Sequence, residues 1–564
     1  MCGIAGVLSK NGTPPNQDAV LKMASALHRR GPDGQGMFIN QSVGLVHTRL
    51  TIIDADTGQQ PMVDAKGRVV VFNGEIYNYL EIRQALGHVY SFQTKSDTET
   101  ILALYDVYGL DFVQHLRGMY AIALYDPATE RFILTRDPFG IKPVYISESE
   151  GALAFASEAK ALIQGGYANP SFDMPVFQTI LRQNYNLGHR TAYSSIVRLS
   201  PGEMLVYEKG KRVHSSVRPA VPASSPRQIG ESEALLELNR ILEDSVNVHC
   251  RSDVGYGVFL SGGVDSSTIV QVLKQLGQNG QAIKTYTAYF DAPNSADERI
   301  YARAVSKAVG MEYHEVPFGI DDFRTLLPQI AAYMDDPVSD YAILPTWKLA
   351  AVAAQEQKVV LCGEGGDELF AGYGRYRTRW WKDWRKKPVQ LDYQDHFSSQ
   401  WTNLQKKQAR DIAGFLPNDL LVKLDMCLMA HGLEGRTPFL DKEVADFSFS
   451  LPDQLKLQKG AGKYLLKTWL QQRQPLAEPF RKKQGFTVPV GAWMSEDAVL
   501  LSDLLSRHSF VKEILTKDQV SQIPSLLSNA KGAAKCWSLL YLTLWYEGRN
   551  RSVTGQKICD ALAG

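Results

Sequence analysis

The chain has 564 residues, with 61 Lys plus Arg against 60 Asp plus Glu and a formal net charge of +1. Apolar residues make up 44% and charged residues 21%, which excludes disorder as the main state. The length points to several units rather than one core, and the balanced charge excludes a mainly electrostatic nucleic-acid binder. No window approaches the ~18 uninterrupted apolar residues of a membrane span. The start, MCGIAGVLSKNG, lacks the basic region and apolar run of a signal peptide, so a cytoplasmic location is expected. Cys2, Cys250, Cys362, Cys427, Cys536 and Cys559 form no CxxC pair, so neither a zinc knuckle nor a disulfide framework is indicated. All but Cys2 read as small buried apolar groups.

In chain order, the front part reads as short strands and turns. Val69 to Phe72 is a β-branched run ended by an expected turn at Asn73-Gly74. Tyr120 to Tyr125 and Arg131 to Thr135 predict two strands around Asp126-Pro127. A Pro-, Ser- and Ala-rich stretch over 214–229 reads as a connector. It divides the chain into a front domain at 1–208, a linker at 209–230 and a back domain at 231–564. From Glu231 the pattern changes. Helices are predicted over Glu231 to Val248, Ser267 to Leu276 and Leu349 to Gln355. Strands are predicted over Gly257 to Leu260, Lys284 to Tyr289 and Lys358 to Cys362. That alternation predicts a parallel α/β sheet.

Cys2 stands apart because removal of Met1 would give it both a thiol and a free α-amine. The reference pKa of such an amine, about 7.7–8.0, makes it a usable base at neutral pH. A thiol that cleaves an amide also needs donors for the developing oxyanion, and Asn73 and Gly74 are candidates. The competing reading is a plain Asn-Gly hairpin turn. An amino-acid substrate would need a cation and an anion. Arg49 and Glu75 or Asp97 qualify by type, although each singly is more often a structural charge.

In the back half, Ser261-Gly262-Gly263-Val264-Asp265-Ser266-Ser267 follows a strand and opens a helix. Glycines let backbone N–H groups approach a phosphate at a helix N-terminus, and serines add hydroxyl donors. Asp265 repels phosphate directly and makes sense as a Mg²⁺ ligand. The competing reading is a well-capped strand-to-helix turn. Neither GxxxxGK[ST] nor GxGxxG occurs. A second loop, Gly363 to Glu368, also follows a strand, so both loops are expected at the carboxyl edge of one sheet, with Asp265 and Asp367 meeting there.

The ordered motifs MCGIAG, RRGPDG, HTRLTIID, NGEIYNY, SDTE and TRDPFGIKP resemble the glutaminase domain of asparagine synthetases and their amidotransferase relatives. SGGVDSS, LCGEGGDELFAGYGRY, LMAHGLEGRTPFLD and RKKQGFTVPVGAW are similar to the pyrophosphate-releasing synthetase domain of that family. The resemblance covers nearly the whole chain except the linker and parts of 376–415. It implies an α+β N-terminal-nucleophile glutaminase domain, built as an antiparallel β-sandwich with helices, followed by an α/β parallel-sheet ATP pyrophosphatase domain. It implies Cys2 as nucleophile, Asn73 and Gly74 as oxyanion hole, and Arg49, Ile53, Asn73, Gly74, Glu75 and Asp97 around glutamine. It implies Leu260, Ser261, Gly262, Gly263, Asp265, Ser266, Ala288, Cys362 and Gly363 around ATP, and Mg²⁺ held by Asp265 and Asp367. Glu364 is linked to forming an acyl-adenylate, Lys463 to the charged transition state, and residues around Glu434 and Arg436 to the acceptor side. A dry internal route for ammonia belongs to the same resemblance.

Departures from the family pattern are Arg29 for a frequent His, Gly255 for Pro, Cys362 for Ser and Gly435 for a larger aliphatic residue. The last is expected to bear on the acceptor pocket. The expected reaction takes L-aspartate, L-glutamine and ATP to L-asparagine, L-glutamate, AMP and pyrophosphate. No permanently bound cofactor, nucleic acid or membrane partner is expected, and a homodimer is compatible with the resemblance. Rival readings are amidation of another carboxylate, a non-catalytic binding protein, or a simple amidohydrolase. The basic and aromatic run RYRTRWWKDWRKK at 375–387 is read as a solvated helix face rather than a nucleic-acid surface.

Overall fold

The computed structural model describes residues 2–277, 283–290, 298–377, 398–458, 460–482, 488–551 and 555–563. Most of the 375–387 run lies outside them.

The front unit is a sandwich of two six-stranded antiparallel sheets. Gly3–Ser9 lies inside the first sheet, between Ala152–Ala156 and Val43–Arg49. Val69–Ile76 lies in the second, beside Gly118–Asp126. Ile4, Leu8, Val43 and Leu45 from one sheet pack against Val69, Val71, Ala121 and Ala123 from the other. The opposite faces are also covered: Thr98–Tyr108 closes the second sheet, and Gln17–Ala26 with Ala159–Gln164 closes the first. Strands buried on both faces read as continuous apolar runs, and every residue of Gly3–Ser9 is buried.

Two sequence expectations change here. Asn73-Gly74 is not a turn: the strand runs through both residues to Ile76, pairing Asn73 with Ala121 and Gly74 with Tyr120. The stretch 209–230 is not uniformly a connector either. Lys211–Val217 pairs with Glu203–Glu208 as an edge strand of the second sheet. Six of its seven residues are exposed, Val213 and Val217 among them, and it overlaps the Pro-, Ser- and Ala-rich stretch that resembles a connector. The hairpin around Asp126-Pro127 is present as Gly118–Asp126 and Arg131–Arg136.

The back unit holds a five-stranded parallel sheet. Its spatial order is Glu312–Phe318, Lys284–Phe290, Tyr256–Phe259, Val359–Leu361, Glu434–Arg436. The first three strands in sequence run one way across the sheet, and the last two are added on the other side of Tyr256–Phe259. The topology therefore reverses between Tyr256–Phe259 and Val359–Leu361, and α/β sheets bind ligands in the crevice at such a point. The predicted helix at 231–248 runs Glu231–His249. The one after the Ser-Gly loop begins earlier than expected, at Val264, because Gly263 serves as its N-cap.

The two units meet across buried charge. Arg30, fully buried, donates to both oxygens of Asp425 in the back unit at 2.7 and 3.1 Å, to Glu158 at 3.1 Å, and through Nε to the Cys2 carbonyl at 3.2 Å. Arg117 reaches Asp441 at 2.8 Å and Asp244 at 2.6 Å, and Arg198 reaches Asp336 at 2.5 Å. A single apolar cluster also runs through both units, joining Phe177 and Tyr193 to Phe510 and Trp545. Removing one partner of a buried pair strands the other charge. Asp425→Ala is therefore expected to cost about 3–5 kcal/mol, read as a lowered thermal-unfolding midpoint. Asp425→Asn, which keeps an acceptor oxygen, should fall between it and the parent. An unchanged midpoint in the alanine variant would show that Arg30 finds compensation elsewhere.

Candidate functional sites

The first site forms where Gly3–Ser9 begins and Val69–Ile76 ends. The Cys2 backbone nitrogen donates to Asn73 Oδ1 at 3.0 Å, and Cys2 Sγ lies 4.0 Å from the Leu50 carbonyl. Burial pushes the Cys2 thiol above its usual value, and Glu434 and Glu75 push it the same way. Asn73 is fully buried, and its Nδ2 has no hydrogen-bond partner among the described residues. A buried amide donor without an acceptor is costly, and it is the kind of group an oxyanion hole requires. Gly74 has φ +151°, and a Cβ there would lie 1.9 Å from the Met119 carbonyl oxygen, so only glycine lets the strand pass.

Of the expected glutamine-binding residues, Asn73 contacts Cys2 directly and Glu75 acts on its thiol. Arg49 does not stand free. Its guanidinium donates to the carbonyls of Ile53 at 3.2 Å, Asp54 at 2.5 Å and Ala55 at 3.1 Å, so it orders the loop that carries Ile53. The same loop is tied to the back unit by Asp54 N–H donating to Asp253 at 2.7 Å. Asp97 accepts from Ile76 N–H at 3.0 Å, and burial lifts its carboxyl to about 6. Glu75, nearly buried, faces Arg436 Nη2 at 3.2 Å. Of the pair expected toward the acceptor side, Arg436 reaches Glu75, and Glu434 pushes the Cys2 thiol up.

The second site is a cavity of about 490 Å³ at the topological reversal. Its first wall is Leu260 to Gly263 with Asp265 and Ser266; Ala288 comes from the next strand, and Cys362, Gly363 and Glu364 from the second loop. Gly263 N–H donates to Ser261 Oγ, and Ser261 N–H donates to Ser266 Oγ, both at 3.2 Å, which shapes the first loop. The loops touch: a Cβ on Gly366 would lie 2.3 Å from Asp265 Oδ1. Lys463 sits between the two carboxylates, 2.5 Å from Asp265 and 2.8 Å from Asp367. Burial alone would lower the Lys463 ammonium, but Asp265 and Asp367 outweigh it and raise it. The lysine enters at φ +57° just before Tyr464–Arg473, and a Cβ on Gly372 would lie 2.3 Å from its Cε.

Among the described residues no cluster of three or more His, Cys, Asp or Glu forms a metal cage. Two convergent carboxylates are instead the arrangement that holds Mg²⁺ together with substrate phosphates. The residues present fit that ion.

Sequence reasoning missed several groups. Lys423 lines the cavity and is held by Asp340 at 2.6 Å, while burial lifts the Glu364 carboxyl and Lys423 opposes that rise. Glu368 is buried, accepts from the Tyr373 hydroxyl at 2.6 Å, and is lifted to about 7 first by burial and then by Asp367. Arg481 and Lys467 add positive charge to the cavity wall. Glu368 and Arg481 stand inside motifs quoted above without a role assigned there, while Lys423 and Lys467 have no sequence signal of their own. Cys362 is buried, and its N–H donates to the Arg436 carbonyl at 2.8 Å. Gly435 does not line the cavity: a Cβ there would meet Leu428 at 2.8 Å and Leu424 at 3.5 Å, so these leucines fill the space of a larger residue. Arg29 is exposed and lies over the Tyr333 ring, 5.4 Å from its centroid, away from both sites.

Comparison with known proteins agrees with this division. Residues 1–217 match the glutamine amidotransferase domain, and residues 237–547 match asparagine synthase. An asparagine synthetase [glutamine-hydrolyzing] 1 of Bacillus subtilis is 30% identical, over 97% of this chain and 96% of its own. Asparagine synthetase B [glutamine-hydrolyzing] of Escherichia coli is 31% identical, over 88% of this chain and 83% of its own. A Penicillium rubens protein named amidase chyE is 30% identical over 67% of this chain and 60% of its own. With a family match over more than half its length and a buried thiol site joined to a nucleotide-type cleft, the chain belongs to the asparagine synthase family.

Proposed function

We propose that the protein is a glutamine-dependent asparagine synthetase acting in the cytoplasm on L-aspartate, L-glutamine and Mg-ATP. The observation that carries this reading is the Lys463 ammonium held between Asp265 and Asp367 at the sheet's switch point, in the same chain as the Cys2–Asn73 contact. Among the described residues no helix is long and apolar enough to cross a membrane.

In the front site, the Cys2 thiolate adds to the glutamine side-chain carbonyl, and the α-amine freed by loss of Met1 takes the thiol proton. Asn73 Nδ2 and the Gly74 N–H stabilise the oxyanion. The proton returns to the leaving nitrogen, ammonia departs, and water hydrolyses the thioester to glutamate. In the back site, an aspartate β-carboxylate oxygen attacks the α-phosphorus of ATP, and pyrophosphate leaves. Lys463 offsets the phosphoryl charge, and Glu364 faces the acyl group. Mg²⁺ held by Asp265 and Asp367 would supply further charge neutralisation. Ammonia then adds to the activated carbonyl, loses a proton, and AMP departs. Free ammonia is mostly inert ammonium at neutral pH, so producing it inside the same chain keeps it nucleophilic.

One reaction containing all three substrates, with products quantified by mass spectrometry, tests the reading. Asparagine, AMP and pyrophosphate are expected in equal amounts. Glutamate without asparagine would move the acceptor to another carboxylate. Cys2→Ala is expected to abolish glutamine use and to retain synthesis from ammonium chloride. Lys463→Ala should do the reverse, dropping synthesis by about 10²-fold or more with glutamate release intact; normal synthesis would remove Lys463 from the reaction. Asp97 must be ionised to hold the α-ammonium, and its carboxyl sits near 6. The glutamine KM for glutamate release is therefore expected to rise as pH falls through about 6, and a flat KM would take Asp97 out of glutamine binding.

A further inference from the structure

The glutamine site is not complete within the front unit. Glu75 is only 5% exposed, and its neighbours Glu434 and Asp97 are both acidic. Burial first, then Glu434 and Asp97, push the Glu75 carboxyl well above the usual range, and one cationic side chain opposes that rise. That cation is Arg436, which comes from the last strand of the back unit's sheet.

Arg436 is itself held from behind, by the back unit alone. Its Nη1 donates to the His249 carbonyl at 2.8 Å and the Arg251 carbonyl at 2.6 Å, and its Nε donates to Glu434 Oε1 at 2.5 Å. The side chain is fully buried. With three contacts fixing the fork, only Nη2 faces the front unit, and it meets Glu75 at 3.2 Å. Tyr77, two residues beyond Glu75, lies under the guanidinium at 5.8 Å, closing the remaining side.

We infer that Arg436 is a positioning residue for glutamine recognition: its guanidinium faces the Glu75 carboxyl and keeps it aimed at the substrate's α-ammonium, so that the synthetase unit completes the glutaminase pocket. This rests on the proposed glutamine-dependent reaction. It assigns Arg436 no contact with substrate. Among the described residues its tie to the second site runs through its backbone, whose carbonyl accepts from Cys362 N–H. Side-chain variants should therefore spare synthesis.

The test uses the full-length protein with Arg436→Gln and Arg436→Lys. Glutamate release is measured against glutamine concentration, and asparagine formation is measured with ammonium chloride in place of glutamine. Arg436→Gln is expected to raise the glutamine KM by about tenfold or more, with kcat within about threefold and ammonium-dependent synthesis largely retained. Arg436→Lys keeps the charge without the fork and should restore part of the KM. An unchanged glutamine KM in a folded Arg436→Gln protein would overturn the inference. So would a loss of glutamate release and ammonium-dependent synthesis together in a folded protein. If Arg436→Gln does not fold, Arg436→Lys decides: a raised KM with kcat retained supports the role, and a parental KM overturns it. Should the parent protein itself make no asparagine from ammonium, the proposed function fails, while the glutamine KM of glutamate release still reads Arg436.

Discussion

Two buried arginines, pointing in opposite directions across one interface, organise this molecule. Arg30 leaves the front unit for Asp425, and Arg436 leaves the back unit for Glu75. Each also contacts the thiol site, Arg30 through the Cys2 carbonyl and Arg436 through Glu75. Buried ion pairs add little net stability because desolvation offsets their attraction, but half a pair is expensive. Such contacts set registry more than they add strength. Sliding one unit against the other would break the Arg30–Asp425 and Arg436–Glu75 contacts together and leave the carboxylates of Asp425 and Glu75 without these cations, so both pairs favour one alignment.

The nucleotide cleft depends on a different constraint, close backbone approach. At Gly366 and Gly372, and where Gly462 packs on the Ala371 carbonyl, a methyl group would lie 1.9–2.3 Å from a neighbouring heavy atom. The absence of Cβ atoms there lets two loops and the segment before Tyr464–Arg473 converge on one point. Two carboxylates and one ammonium occupy that point. The charge is strong and local, and the loops leave adjacent strands at the place where the sheet reverses, so these charged groups are brought together by backbone approach.

Much of this was legible in the sequence. Amphipathic periodicity marked Glu231–His249, and the strand–loop–helix alternation marked the parallel sheet. The two Gly-rich loops were readable because glycine is needed wherever backbone approaches a ligand or another loop. The Asn73-Gly74 step misled because the hairpin signal is local, whereas pairing along Gly118–Asp126 carries the strand straight through it. Lys211–Val217 misled because an exposed edge strand has no buried face to set an apolar alternation, and it runs into the Pro-, Ser- and Ala-rich stretch. The interface was not legible at all. Arg30 finds Asp425 across most of the chain, and no window of sequence distinguishes such a pair from surface charge.

The last strand and the helix before it explain how one short element serves two sites. Alternation along a strand sends Glu434 and Arg436 to one side and Gly435 to the other. The first side faces Glu75, and the second rests on Leu424 and Leu428. Those leucines belong to Leu421–Met429, whose Lys423 lines the nucleotide cavity and whose Asp425 holds Arg30. Residues two apart on a helix point to nearly opposite sides. Lys423 and Asp425 therefore face different sites from a single turn. Displacing that helix moves a cavity charge, the partner of Arg30 and the support of the Arg436 strand together. The thiol site and the Lys463 cavity thus share supports within one helical turn and three strand residues.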